Sequence, residues 1–344
     1  MLLRAASNHI FEKIGSFMSV SSSNPSVRHS GEGKQYGVRM IEVTGKNDSQ
    51  RVDNFLIGLL KGVPKSKIYR IIRKGEVRIN KKRCKPETKL SVGDVVRVPP
   101  VQADETKSKQ VFVGDALAEV LKNAVLYEDE AVLVINKPAG LAVHGGSGVN
   151  LGLIEALRTR YPKHQFLELV HRLDRDTSGV ILIAKSRPAL RHLHAQFRED
   201  KVTKVYHLAV CGTWPKRKQL VDAPLKKNEL KSGERMVTVD QEGKRSQTCF
   251  RVLVATKHAS LVEAKPVTGR THQIRVHAAH SGHPIVGDKK YLLDVDRIPP
   301  GQERCRLMLH ARRLSFSLLD ERRLTLEAEY DQDFSDALVQ MGLL

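Results

Sequence analysis

Nine consecutive residues, His171-Arg172-Leu173-Asp174-Arg175-Asp176-Thr177-Ser178-Gly179, crowd two carboxylates, two guanidiniums and an imidazole into one short stretch. They lie between two apolar runs, Phe166-Leu167-Glu168-Leu169-Val170 and Val180-Ile181-Leu182-Ile183-Ala184, that read as strands. A polar cluster at such a junction sits at the mouth of a sheet, where loops carry catalytic groups. A solvated turn held by Asp, Thr and Ser hydrogen bonds would have the same look. The nine residues alone do not rise above that reading.

Other segments add chemistry. Ile135-Asn136-Lys137-Pro138-Ala139-Gly140-Leu141-Ala142-Val143-His144-Gly145-Gly146 runs from a strand into a Gly/Pro-rich loop, where backbone can approach a ligand closely. It lacks the spacing of a Walker loop or a dinucleotide fingerprint, so a nucleotide cofactor is not expected. Tyr206 opens a strand in Lys204-Val205-Tyr206, where a tyrosine is ordinarily packing. Thr268-Gly269-Arg270-Thr271-His272-Gln273-Ile274-Arg275-Val276-His277 leads into a helix. The planar fork of an arginine there suits a buried carboxylate, although Arg275 could equally lie on a solvated face. Gly282-His283-Pro284-Ile285-Val286-Gly287-Asp288 reads as a further polar turn. His277, His280 and His283 are evenly spaced, but no cysteine or acidic partner joins them, so they read as surface histidines and no metal is expected.

The elements that must position these groups come from periodicity. Strands are expected at Ala131–Asn136, Leu167–Arg172, Gly179–Ala184, Lys204–Cys211, Met236–Asp240, Thr248–Thr256, Ser260–Pro266, Leu307–Ser317 and Arg323–Ala328. Helices are expected at Gly152–Arg160, Pro188–Asp200 and His272–Ser281. Strands that follow one another without helices predict an α+β domain over 115–344, with a mixed, largely antiparallel sheet flanked by helices.

A smaller unit precedes it over 41–100. Val52, Phe55, Leu56, Leu59 and Leu60 recur at helical spacing, and Pro64 opens a second helix with Ile68, Ile71 and Ile72 facing inward. Gly75 is the expected stop. Lys65, Lys67, Arg70, Arg73 and Lys74 are left mostly to the outer face, and Lys81, Lys82, Arg83 and Lys85 flank the strand Val77-Arg78-Ile79. Few acids interleave with these cations, so the face reads as an RNA-binding platform that acts through phosphates. Residues 101–114 read as a polar linker and 1–40 as a flexible extension containing the Ser/Asn/Pro tract Ser19–Ser26. Internal starts at Met18 or Met40 are possible.

Composition agrees. A formal net charge of +20 attracts a polyanion over distance, and nucleic acid is the leading partner. An anionic membrane would want a basic amphipathic helix with aromatic anchors, whereas aromatics make up 5% of this chain with a single Trp. No apolar run is long enough to span a bilayer. Cys84, Cys211, Cys249 and Cys305 are scattered, which fits a reducing compartment. The expected location is the bacterial cytoplasm. Met1-Leu2-Leu3-Arg4-Ala5-Ala6 has a transit-peptide cast that Glu12 and Glu32 weaken, so organellar targeting is the alternative.

The nine-residue motif, the Lys137-Pro138 loop, Tyr206 and the Thr268–His277 segment together resemble the RluA-type pseudouridine synthases. The 41–100 unit, with Lys61-Gly62-Val63-Pro64-Lys65-Ser66, resembles the RNA-binding module named after ribosomal protein S-four. The resemblance covers the whole second domain in order and implies isomerisation of uridine to pseudouridine in large-subunit (23S) ribosomal RNA, without a cofactor. A monomer is expected. It implies that Asp174 is the essential aspartate, that Arg275 pairs with it, that Tyr206 meets the uracil, and that Arg172 enters the RNA stack as the base leaves. Asp176 falls outside the pattern and is read as structural.

Two other readings stand beside this one. A non-catalytic ribosome-assembly factor could share the fold, although it would have no need of Asp174, Tyr206 and Arg275 together. A glycosidase or nuclease would want two placed carboxylates or a metal cluster. If Asp174 and Asp176 end a strand, they point to opposite faces and cannot form that pair.

Overall fold

The computed structural model describes residues 37–60, 63–101, 114–145, 151–162, 164, 166–217, 219–229, 235–292 and 298–344. Most of the expected extension, most of the 101–114 linker and Gly146 at the end of the Gly-rich loop lie outside the described residues. The chain divides into two compact units, Met1–Gln110 and Val111–Leu344.

The first unit pairs a four-stranded antiparallel sheet with two helices. Its elements are β1 (Arg39–Glu42), α1 (Val52–Leu59), α2 (Lys65–Arg73), β2 (Arg78–Ile79), β3 (Lys82–Arg83) and β4 (Val95–Val98), with sheet order β1-β4-β2-β3. The strand β1 starts inside the stretch expected as extension. Val52, Phe55 and Leu56 of α1 meet Ile68, Ile71 and Ile72 of α2 in one core with Val96 and Val98. Pro64 precedes α2, and Gly75 ends it at φ +74°, a left-handed backbone that glycine adopts without strain. Lys65, Arg70, Arg73, Lys74, Lys82 and Arg83 are exposed, while Lys67 is half-buried. Arg83 also has a structural task, because its guanidinium donates to the Lys74 carbonyl at the end of α2.

The second unit contains, in chain order, α3 (Asp115–Asn123), β5 (Val125–Glu128), β6 (Val132–Lys137), α4 (Leu153–Arg160), β7 (Glu168–Leu169), β8 (Ser178–Ala184), α5 (Arg187–Arg198), β9 (Thr203–Cys211), β10 (Leu220–Asp222), β11 (Leu225–Glu229), β12 (Arg235–Val239), β13 (Gln247–Ala255), β14 (Ala259–Pro266), α6 (Gln273–His280), β15 (Leu309–Ser317), β16 (Arg323–Glu327) and α7 (Gln332–Gln340). Ten strands form one sheet with the path β10-β13-β14-β9-β15-β8-β6-β5, with β16 on β15 and β7 on β8. Only β15 and β8 pair in parallel among the described strands, so the sheet is mixed and largely antiparallel. A separate hairpin joins β11 to β12.

The central strand β8 is buried along its whole length, which explains its unbroken apolar sequence. Ile181 and Ile183 pack with Leu153, Ile154 and Leu157 of α4 on one face. Val180 and Leu182 pack with Ala189 and Leu193 of α5 on the other. Gly179 sits at φ +108°, and a Cβ there would collide with the Ala311 backbone. The absence of a side chain is therefore what lets β8 lie beside β15 immediately after the nine-residue motif.

Candidate active site

The nine-residue motif is a loop. The strand expected over Leu167–Arg172 contracts to Glu168–Leu169, and regular pairing resumes only at Ser178. Asp174 and Asp176 are thus separated by a turn, closed by the Thr177 N–H on the Asp174 carbonyl at 3.2 Å, and not by strand alternation. Asp176 faces outward and pairs with Arg175 at 2.9 Å, in keeping with a structural role.

Beneath this loop lies Lys137, at the end of β6 and fully buried. Its Nζ donates to the carbonyls of Pro138 at 2.8 Å, Leu141 at 2.9 Å and Arg175 at 2.9 Å. One side chain therefore ties the Lys137-Pro138 loop to the residue after Asp174. Burial pushes its amine down to about 7, against the pull of Asp176 and Asp174. Sequence reasoning singled out the loop but not this lysine's task.

A cavity of about 290 Å³ opens above the motif. Arg172, Asp174, Tyr206, His272 and Arg275 line it together, although β9 and α6 bring the last three from distant parts of the chain. Its size lies at the lower end of small-molecule sites. Arg172 is exposed at this rim. Tyr206 enters from β9, between β14 and β15. Burial, reinforced by the nearby Asp174 charge, pushes its phenol well above the usual range, so the hydroxyl stays protonated at neutral pH.

The start of α6 is fixed by Gln273. Its amide donates to the Gln247 carbonyl and Thr248, and its Oε1 accepts from Thr268, Ser246 and the Arg270 N–H. These bonds knit the Thr268–His272 turn to β13 and so aim the following turn of helix, which carries Arg275.

Arg275 is largely buried and does not lie on a solvated face. Its nearest carboxylate is Asp288: Nε and Nη2 reach the two Asp288 oxygens at 2.8 and 2.7 Å. Its Nη1 lies 3.4 Å from Asp174 Oδ2. The expected pairing with Asp174 is therefore the longer of two contacts, and Asp288 holds the guanidinium in place. Asp288 was legible only as part of a polar turn.

The evenly spaced histidines need correction. His277 is fully buried, not on the surface, with Nδ1 2.9 Å from Thr248 Oγ1 and Nε2 3.0 Å from the Ala223 carbonyl. It lies on the inner face of α6, where both ring nitrogens find protein partners. His280 is exposed, and His283 contacts the Cys211 carbonyl at 3.0 Å. Among the described residues no group of three His, Cys, Asp or Glu side chains could hold a metal ion. Among them, too, no helix is long and apolar enough to cross a membrane.

Comparison with known proteins places both units in families. The family model of RNA pseudouridylate synthases matches residues 131–280, and that of the S4 domain matches residues 50–96. The chain is 54% identical over 280 residues to ribosomal large subunit pseudouridine synthase C of Yersinia pestis, covering 81% of this chain and 88% of that protein. It is 53% identical over 283 residues to the protein of the same name from Escherichia coli strain K12, covering 81% and 89%. A solved structure of human RNA pseudouridylate synthase domain containing 4 superposes with a TM-score of 0.55 at 28% identity, covering 66% of this chain and 96% of that one. With an S4 domain ahead of a catalytic domain whose cavity gathers Asp174, Tyr206 and Arg275, the chain belongs to the RNA pseudouridylate synthase family.

Proposed function

We propose that this enzyme isomerises specific uridines of large-subunit (23S) ribosomal RNA to pseudouridine in the bacterial cytoplasm, with Asp174 as the reacting carboxylate. The observation that carries the reading is the meeting of Asp174, Tyr206 and Arg275 around one cavity. The reaction breaks the N1–C1′ bond, turns the uracil, joins C5 to C1′ and moves the C5 proton away while N1 gains one. Atoms and electrons balance within the nucleotide, so no cofactor is required. A monomer is the working unit in this reading.

Asp174 could attack C1′, add to the ring at C6 or remove a proton from C2′, and each route needs an ionised carboxylate. Arg275 keeps a cation 3.4 Å from it. Tyr206 is suited to stack on the uracil and to hydrogen-bond as a neutral phenol, rather than to serve as a standing phenolate base. Arg172, at the exposed rim, can occupy the gap left in the RNA stack by an extruded uridine. The exposed cations Lys65, Arg70, Arg73, Lys74, Lys82 and Arg83, with Lys67, supply phosphate contacts that add affinity without reading sequence.

The test is to map pseudouridines in ribosomal RNA from cells lacking this protein. A small set of large-subunit sites should be unmodified and restored by the wild-type chain. An unchanged pseudouridine map would contradict the reading.

A further inference from the structure

His272 is a cavity residue that the chemistry above leaves unused. It caps α6 in a left-handed conformation, at φ +52°. Its Nε2 stands 3.7 Å from Asp174 Oδ2, the same oxygen that Arg275 approaches. Oδ1 has no hydrogen-bond partner among the described residues. The far side of the ring is fixed by Tyr291, whose hydroxyl lies 2.8 Å from Nδ1.

The bonding of Tyr291 favours one tautomer of this ring. Its oxygen accepts the Val237 N–H of strand β12 at 3.2 Å. The hydroxyl is neutral at ordinary pH, because burial pushes it up to about 12. Its one proton has no other acceptor among the described residues than His272 Nδ1. With the phenol donating to Nδ1, the imidazole proton is left on Nε2, facing Asp174. Burial, with Arg275 and Lys290 nearby, keeps this ring neutral against the pull of Asp174 and Asp288.

We propose that His272 is a positioning residue for the isomerisation: its Nε2–H, fixed by the Tyr291 hydroxyl, donates to Asp174 Oδ2 and leaves Oδ1 to react. The 3.7 Å separation closes to a hydrogen bond when substrate fills the cavity, as such contacts commonly tighten on binding. A neutral donor suits this task. A second full positive charge would orient the carboxylate equally well but would make it a weaker base and nucleophile. The Asp288 clamp works in the same direction, since it takes up much of the charge of Arg275.

The proposal rests on Asp174 being the reacting carboxylate, and the test separates the two ideas. Turnover, KM, RNA affinity and melting temperature would be measured on a large-subunit rRNA transcript for wild type, Asp174→Asn, His272→Asn, His272→Gln, Tyr291→Phe and the double variant His272→Gln/Tyr291→Phe. Asparagine tolerates the left-handed backbone but is too short to reach Asp174, so His272→Asn should lower kcat roughly 10- to 100-fold with KM, affinity and melting unchanged. Glutamine can place an amide N–H where Nε2 was, so His272→Gln should stay within about threefold of wild type. Tyr291→Phe should lower kcat by roughly three- to tenfold in the wild-type background and have no further effect beside glutamine, which has no tautomer to fix. An unimpaired His272→Asn, a His272→Gln as slow as His272→Asn, or equal costs of Tyr291→Phe in both backgrounds would each overturn the proposal. Should His272→Asn melt early, the two glutamine-background measurements still decide. An active Asp174→Asn would instead sink the reading on which the proposal rests.

Discussion

Arg275 is gripped by both oxygens of Asp288, at 2.8 and 2.7 Å, and presents only its remaining Nη1 to Asp174. Asp288 also accepts the N–H groups of Lys290 and Tyr291, so the clamp is anchored to its own turn. A guanidinium fixed this way can face the cavity without collapsing onto the Asp174 carboxylate. Asp288→Asn should therefore lower kcat by roughly 100-fold while RNA affinity holds. Removing one charge from a buried pair should also cost about 3–5 kcal/mol of stability. Steady-state kinetics beside a urea melt would check both, and an unaltered kcat would show that Arg275 needs no such support.

Arg172 offers a prediction about substrate structure. Extruding a base from a helix costs a few kcal/mol, and an unpaired base costs least. Arg172→Ala should lower kcat/KM roughly 10- to 100-fold on a folded rRNA transcript but less than about threefold on an unpaired oligonucleotide carrying the same uridine. Equal losses on both substrates would assign Arg172 to simple affinity.

These residues differ in how far the sequence exposed them. Asp174, Tyr206 and Arg275 were named through the resemblance to a family, since their residue types alone left open a solvated turn, a packing tyrosine and a surface arginine. Lys137, Asp288, His272 and Tyr291 were not, because their value lies in partners far along the chain: the Lys137 amine meets the Arg175 carbonyl, and His272 meets Tyr291. The fold shows the same division. Long apolar strands such as β8 and β14 were plain, whereas β10 and β11 are short and the latter carries Lys226 and Lys227. The helix α7 was missed although Asp331 caps it and Phe334, Ala337 and Leu338 are buried at helical spacing. Among the described residues of α3 only Leu121 is fully buried, too little for a stripe.

Acid should unfold the catalytic unit through its histidines. Burial pushes His171, His207 and His310 from 6.5 down to about 4. His171 accepts the Leu182 N–H, and His310 joins Ser178 to the Ala328 carbonyl. Above pH 6.5 both folded and unfolded chains leave these rings neutral. As pH falls from 6.5 towards 4, the unfolded chain takes up protons that the native state refuses, so stability drops across that window. Allowing for solvent screening, roughly 2–5 kcal/mol should be lost between pH 7 and pH 5. Urea midpoints at the two pH values would measure it, and equal midpoints would contradict the assignment of these rings as buried and neutral.

The central claim is that the Asp174 carboxylate does the chemistry. Its most direct test is pseudouridine formation by purified Asp174→Asn on a large-subunit rRNA transcript, with RNA binding measured in parallel. The account predicts binding close to wild type and no detectable pseudouridine. Pseudouridine formed at a measurable rate by that variant would contradict it.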